Sequence, residues 1–133
     1  MKKILLILIV LSAAYYAYDH YEPPIVQPQQ VSERWYSGQQ VQGSGMVLRV
    51  LPDDNDGSRH QRFILELSSG RTLLIAHNID LAPRISSLSS GDSVSFYGQY
   101  ESNPQGGVIH WTHRDPQGRH TAGWLEHNGR RYQ

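Results

Sequence analysis

A chain of 133 residues holds at most one compact domain once its ends are set aside. Twelve lysines and arginines balance twelve aspartates and glutamates, so no bulk field draws the protein to nucleic acid or to an anionic membrane. The chain has no cysteine, which excludes disulfides, lipidation at an N-terminal cysteine, thiolate ligands and cysteine nucleophiles; any metal site must be built from His, Asp or Glu.

The N-terminus, Met1-Lys2-Lys3 followed by ILLILIVLSAA, has the positive start and apolar centre of an export signal. Residues 1–20 are read as a signal peptide or an N-terminal membrane anchor. The apolar run from Ile4 to Tyr18 is shorter than the ~20 residues a spanning helix needs, which favours cleavage over anchoring. Both lysines lie in this leader, so arginine is the permanent cation of the rest. Residues 21–42 are rich in Pro and Gln and read as an extended linker, with Trp35 and Tyr36 placed to dock its end onto the domain.

Residues 43–133 alternate in short apolar runs broken by turn residues. GMVLRVL at 45–51 predicts a first strand and PDDNDG at 52–57 a polar turn. HQRFILEL at 60–67 and TLLIAHNI at 72–79 flank Ser69-Gly70 and predict a hairpin. Pairing Ser68 with Arg71 sets Phe63 opposite Ala76, Leu65 opposite Leu74 and Leu67 opposite Thr72 in the core. His60, Arg62 and His77 then share the outer face. Asp80 caps a helix expected over 81–90, in which Leu81, Ile85 and Leu88 share one face and close an end of the barrel. DSVSFYGQY at 92–100 and VIHWTH at 108–113 are the fourth and fifth strands, Asp115-Pro116-Gln117-Gly118 has a type I turn signature, and Asn128-Gly129 marks a C-terminal hairpin. Phe63, Leu65, Leu74, Val94, Phe96 and Ile109 are the expected core. This order predicts a mostly β fold, a small OB-like five-stranded barrel with one short helix and a C-terminal hairpin.

In such a barrel the third and fifth strands run parallel, and the turn after the first strand lies where both of them end. His60, His77, His113, Asp115 and His120 then converge on one rim with the aspartates of the first turn, a candidate set for zinc or a similar divalent ion. Arg62, His110, Trp111, Arg114, Arg119 and Trp124 are candidate ligand contacts, the arginines for an anion and the tryptophans as stacking surfaces. The bland reading of the same residues is a set of hydrogen-bonded loops at strand ends. His110 and His113 are three apart, so they can share a ligand only if the strand ends between them. PDDNDG is not an EF-hand loop, because alignment on Gly57 puts Phe63 where the bidentate Glu belongs.

HQRFI, LIAHNIDLAPRI, GDSVSFYGQY, GGVIHWTHRDP, GRH and the terminal GW with RRYQ resemble a family of short exported bacterial proteins known only as a domain of unknown function. The resemblance implies the domain boundary and export, and it implies no activity. The reading is therefore a periplasmic or otherwise exported binding module for a ligand, polymer or protein partner, soluble or tethered to the inner membrane. Its rival is a small metal-dependent hydrolase, a phosphodiesterase or nuclease.

Overall fold

The computed structural model describes residues 15–21 and 34–133. The chain divides into two units, Met1–Val31 and Ser32–Gln133. In the first, residues 15–19 are helical and Tyr16 stacks on His20 at 4.0 Å. The apolar start of the leader and most of the spacer lie outside the described residues.

The second unit is built of seven strands: β1 (Gln40–Val50), β2 (His60–Leu67), β3 (Thr72–Asn78), β4 (Ser93–Glu101), β5 (Val108–His110), β6 (Trp124–His127) and β7 (Arg130–Tyr132). They pair in the order β1-β2-β3-β5-β4, and β4 pairs back onto β1, which closes a five-stranded barrel with β3 and β5 parallel. The expected OB-like barrel and C-terminal hairpin are both present, β6 and β7 extending the sheet from β4. β1 begins at Gln40, inside the segment read as linker, and reaches both β4 and β2 by passing close to each. Gly45 makes this possible, since a Cβ there would lie 2.3 Å from the Glu66 carbonyl oxygen.

Alternation supplies the core. Phe63, Leu65 and Leu67 point inward from β2, Leu73 and Ile75 from β3, Val94, Phe96 and Tyr100 from β4, Ile109 from β5 and Leu125 from β6. Trp35 packs against this cluster from the end of the spacer, edge-on to Phe96 and Tyr100.

Three expectations are corrected. The β2–β3 register is one residue off the predicted one: Phe63 faces Ile75 and Leu65 faces Leu73. The turn holds three residues, 68–70, with Leu67 N–H bonded to Arg71 O and Gly70 at φ 82, the bulged hairpin geometry rather than a two-residue turn. A one-residue slip exchanges the faces of a strand, so Leu74 and Ala76 lie outside and His77 lies inside. Residues 81–90 form turns rather than a helix. The amide of Gln61, itself inward and buried, accepts from Ile85 N–H at 2.9 Å and donates to Ile85 O at 2.8 Å, taking both backbone groups a helix would use. Ile85 is still buried and Leu88 still packs on the core, but Leu81 is exposed. Finally, β5 stops at His110 because Trp111 adopts φ 56, outside any strand conformation.

Phe63 is fully buried at the centre of the barrel. Phe63→Ala should lower the unfolding free energy by about 3–5 kcal/mol in a denaturant titration. A loss under about 1 kcal/mol would remove Phe63 from the core and with it the observed register.

Candidate functional site

Strand parity places His77 inward and His60 and His110 outward, while His113 and His120 lie in the loop after β5. His77 faces inward and is wholly buried. Its Nε2 lies 3.0 Å from Pro83 O, which can only accept, so the proton sits on Nε2 and Nδ1 accepts from the Thr112 hydroxyl at 2.8 Å. The ring ties β3 to the 79–85 loop and to the chain leaving β5. Burial lowers its pKa to about 4; the Pro83 carbonyl opposes this, and His113 and His60 reinforce it.

His60 opens β2 on the outer face, and its Nδ1 lies 2.8 Å from Ser58 O. The Nδ1 of His113, a buried residue, lies 2.7 Å from Arg114 O. Each carbonyl takes the Nδ1 proton, so each neutral ring keeps a bare Nε2. His110, at the end of β5, has a buried Nε2 with no hydrogen-bond partner; the nearest carboxylate oxygen, Glu101 Oε1, is 3.8 Å away. Burial pushes its pKa down more than Glu101 raises it. His60, His110 and His113 line one concavity of about 310 Å³ with Trp111, Ser58, Asn78 and Leu81. A second, of about 370 Å³, shares His60 and His110 and is floored by Leu74, Ala76 and Val108, with Asp54, Arg62 and Glu101 at its edges. Together they form a cleft along the outer face of β2, β3 and β5.

The loop after β5 is shaped by two further candidates. Asp115 accepts the backbone N–H groups of Gln117, Arg119 and His120 at 2.9–3.0 Å, and these bonds, that of Gln117 foremost, hold its carboxyl below the usual range. His120 lies flat on Trp111, 4.0 Å between ring centres, with Nε2 at 2.6 Å from Gln99 Oε1 and Nδ1 at 2.8 Å from Thr121 O. This stack steadies the indole of a residue whose positive φ costs about 1–3 kcal/mol. Gly123, whose Cβ would lie 2.0 Å from Trp111 O, lets the returning chain pass beneath.

The structure thus brings His60, His110, His113 and Trp111 together, keeps His77 behind them, and sets His120 against Trp111. It does not assemble the metal set expected from the sequence: His77 has both nitrogens engaged, Asp115 holds its own loop, and among the described residues no three His, Asp or Glu side chains are placed to hold a metal ion. Arg62 flanks the cleft with Nε and Nη2 on Pro52 O at 3.1 Å. Arg114 is exposed, as is Arg119, which bonds to Gln117. Trp124 lies elsewhere, under the Arg131 guanidinium at 4.1 Å, in a groove with Gln42, Gly43, Ser44 and Ser95. Sequence reasoning missed Gln61, Thr112, Gln99 and Glu101. Strand parity puts Gln61 inward with Phe63 and Leu65, and an inward Gln is a signal, available in the sequence but not used, that something must satisfy its amide.

The lowered His77 pKa has a defined consequence. As pH falls from 6.5 toward 4, the unfolded chain takes up a proton that folded His77 refuses, so stability is present above 6.5 and lost across that window. The loss should reach about 3 kcal/mol. Denaturation midpoints measured across the window should fall more steeply in the native chain than in His77→Gln, which keeps only the smaller contribution of groups such as His110; an equal slope in the two would contradict the assignment.

Comparison with curated proteins and with solved structures returns no match. A family model described as protein of unknown function (DUF3465) matches residues 4–133, nearly the whole chain. The chain therefore belongs to the DUF3465 family.

Proposed function

We propose that this chain is an exported binding module whose His- and Arg-bearing rim receives a ligand, a polymer or a protein partner on the outer face of β2, β3 and β5. The observation that carries the reading is the buried Nε2 of His110, left without a hydrogen bond where the two concavities meet. An unsatisfied buried polar atom costs about 1–3 kcal/mol, and a bound group would supply its partner. The apolar floor of Leu74, Ala76 and Val108 gives a ligand surface to cover. The strained Trp111 sits at the cleft's end, where such strain tends to collect. Five-stranded barrels of this topology also bind on the corresponding face. The hydrolase alternative has no comparable support, because no three-ligand metal set is present among the described residues.

Export is supported by Lys2 and Lys3 ahead of an apolar run. Among the described residues no helix is long and apolar enough to cross a membrane.

Two measurements test the proposal. The full chain, screened against an oligosaccharide, a single-stranded oligonucleotide and a peptide library, should yield a saturable binder. That binder should lose at least about tenfold in affinity when Ala76→Trp fills the cleft floor, a change of about 1.4 kcal/mol. Trp124→Ala should leave it unaffected, and binding indifferent to Ala76→Trp would place the site elsewhere. For export, a reporter fused after Gln133 should be active only in a form that works outside the cytoplasm; cytoplasmic activity would end that part of the proposal.

A further inference from the structure

We infer that the cleft is a nucleoside site, which takes a planar heteroaromatic base in its ring-lined concavity and a ribose over its apolar floor. The inference rests on the reading of the β2, β3 and β5 face as a binding surface and names the class of ligand that surface fits.

The concavity of about 310 Å³ is at the small end of ligand sites, which run from about 300 to 1,000 Å³, so it suits a single ring system. Four of its seven lining residues, His60, His110, Trp111 and His113, carry aromatic rings. Trp111 lies 5.3 Å from His113 at 35° and 6.5 Å from His110 at 53°, ring centre to ring centre, so these walls are inclined planes around a gap rather than one closed stack. His120 backs the indole at 4.0 Å and is itself held by Gln99 and Thr121. It is not part of the lining, so the indole surface turned to the concavity is one that His120 leaves open. Leu81 stands 44 % exposed on the same lining and offers a second apolar surface for a base to cover. Stacking between aromatic and apolar side chains, with hydrogen bonds to the ring's edge, is how proteins hold an isolated base. The edge groups here are of both kinds. Asn78 commits Oδ1 to the Asp80 N–H and has its NH2 to donate, Ser58 brings a hydroxyl, and His60 and His113 present Nε2 lone pairs. A base edge carries the same mixture of donors and acceptors.

The adjoining concavity fits the sugar. Its floor of Leu74, Ala76 and Val108 gives the carbon skeleton of a ribose a surface to cover, and the carboxylates of Asp54 and Glu101 at its edge accept from hydroxyls. His110 lines both concavities, and its buried Nε2 stands 3.8 Å from Glu101 Oε1, too far for a hydrogen bond. A hydroxyl both accepts and donates, so one seated at that junction serves the ring nitrogen and the carboxylate together. A phosphate has less to gain there. Two carboxylates border the cleft against one guanidinium, and Arg62 has turned its Nε and Nη2 to Pro52 O.

The test is calorimetry on the full chain with adenosine, guanosine, cytidine and uridine, and with methyl riboside as the sugar without a base. At least one nucleoside should bind below millimolar concentration, and methyl riboside should bind at least about tenfold more weakly. Trp111→Gly removes the indole while glycine adopts the φ of 56 without strain; it and Ala76→Trp should each weaken the nucleoside at least about tenfold. In proton–nitrogen spectra the indole N–H of Trp111 should shift on binding and that of Trp124 should not. No nucleoside binding at millimolar concentration, nucleoside binding untouched by Trp111→Gly, or a 5′-monophosphate that binds about tenfold tighter than its nucleoside would overturn the inference. Methyl riboside separates the two claims. If it binds as well as the nucleosides and is lost in Ala76→Trp, the binding face stands and the base assignment falls; if a nucleoside binds but neither variant weakens it, both fall.

Discussion

One imidazole holds the architecture of the site. His77 faces inward near the end of β3, donates Nε2–H to Pro83 O and accepts from the Thr112 hydroxyl, and so ties β3 to the 79–85 loop and to the chain leaving β5. A buried polar ring is tolerated only when both nitrogens find partners, and here the partners are the loop that plugs the barrel and the chain that leaves β5. Gln61, the inward neighbour on β2, clamps Ile85 in the same way. His127 does so at the opposite side of the loop, with Nε2 at 2.8 Å from an Asp92 carboxylate that also accepts the Ser89 N–H. The 79–92 segment is held by these side chains together with its own Ser89–Asp92 turn and the backbone bonds of Ile79 to Arg59 and of Gly91 and Asp92 to Val47.

With the plug fixed by His77, the other histidines of the rim take their positions from strand and loop geometry. Parity puts His60 and His110 outside on β2 and β5, and the positive φ of Trp111 ends β5 so that His113 turns back toward them. Backbone carbonyls then set the tautomers of His60 and His113. The same barrel that needs His77 neutral and engaged leaves its neighbours with lone pairs.

Much of the fold was legible in the sequence. The alternating runs around Phe63, Val94 and Ile109, the turn at Ser69-Gly70 and the Asn128-Gly129 hairpin give the strands and their order, and that topology brings His60 and His113 to one rim as expected. The side chains facing inward at His77 and outward at Leu74 were not legible, because the register hangs on whether a turn has two residues or three, and both are compatible with Ser-Ser-Gly. The helix expected at 81–90 follows local periodicity, which cannot register that Gln61, some twenty residues earlier, takes the Ile85 backbone. The expected metal set is not assembled among the described residues for the same reason. Residue type and convergence are properties of sequence and topology, but which nitrogen is already occupied depends on carbonyls that only the folded loops bring near.

His77 holds its proton on Nε2, whereas His60 and His113 hold theirs on Nδ1. Long-range proton–nitrogen correlation of the imidazole rings in the full chain at neutral pH reads this directly. His77 should appear as the Nε2–H form, with His60 and His113 as Nδ1–H forms whose Nε2 carries no proton. Nε2–H tautomers at His60 and His113, or a His77 that is already protonated at neutral pH, would contradict it.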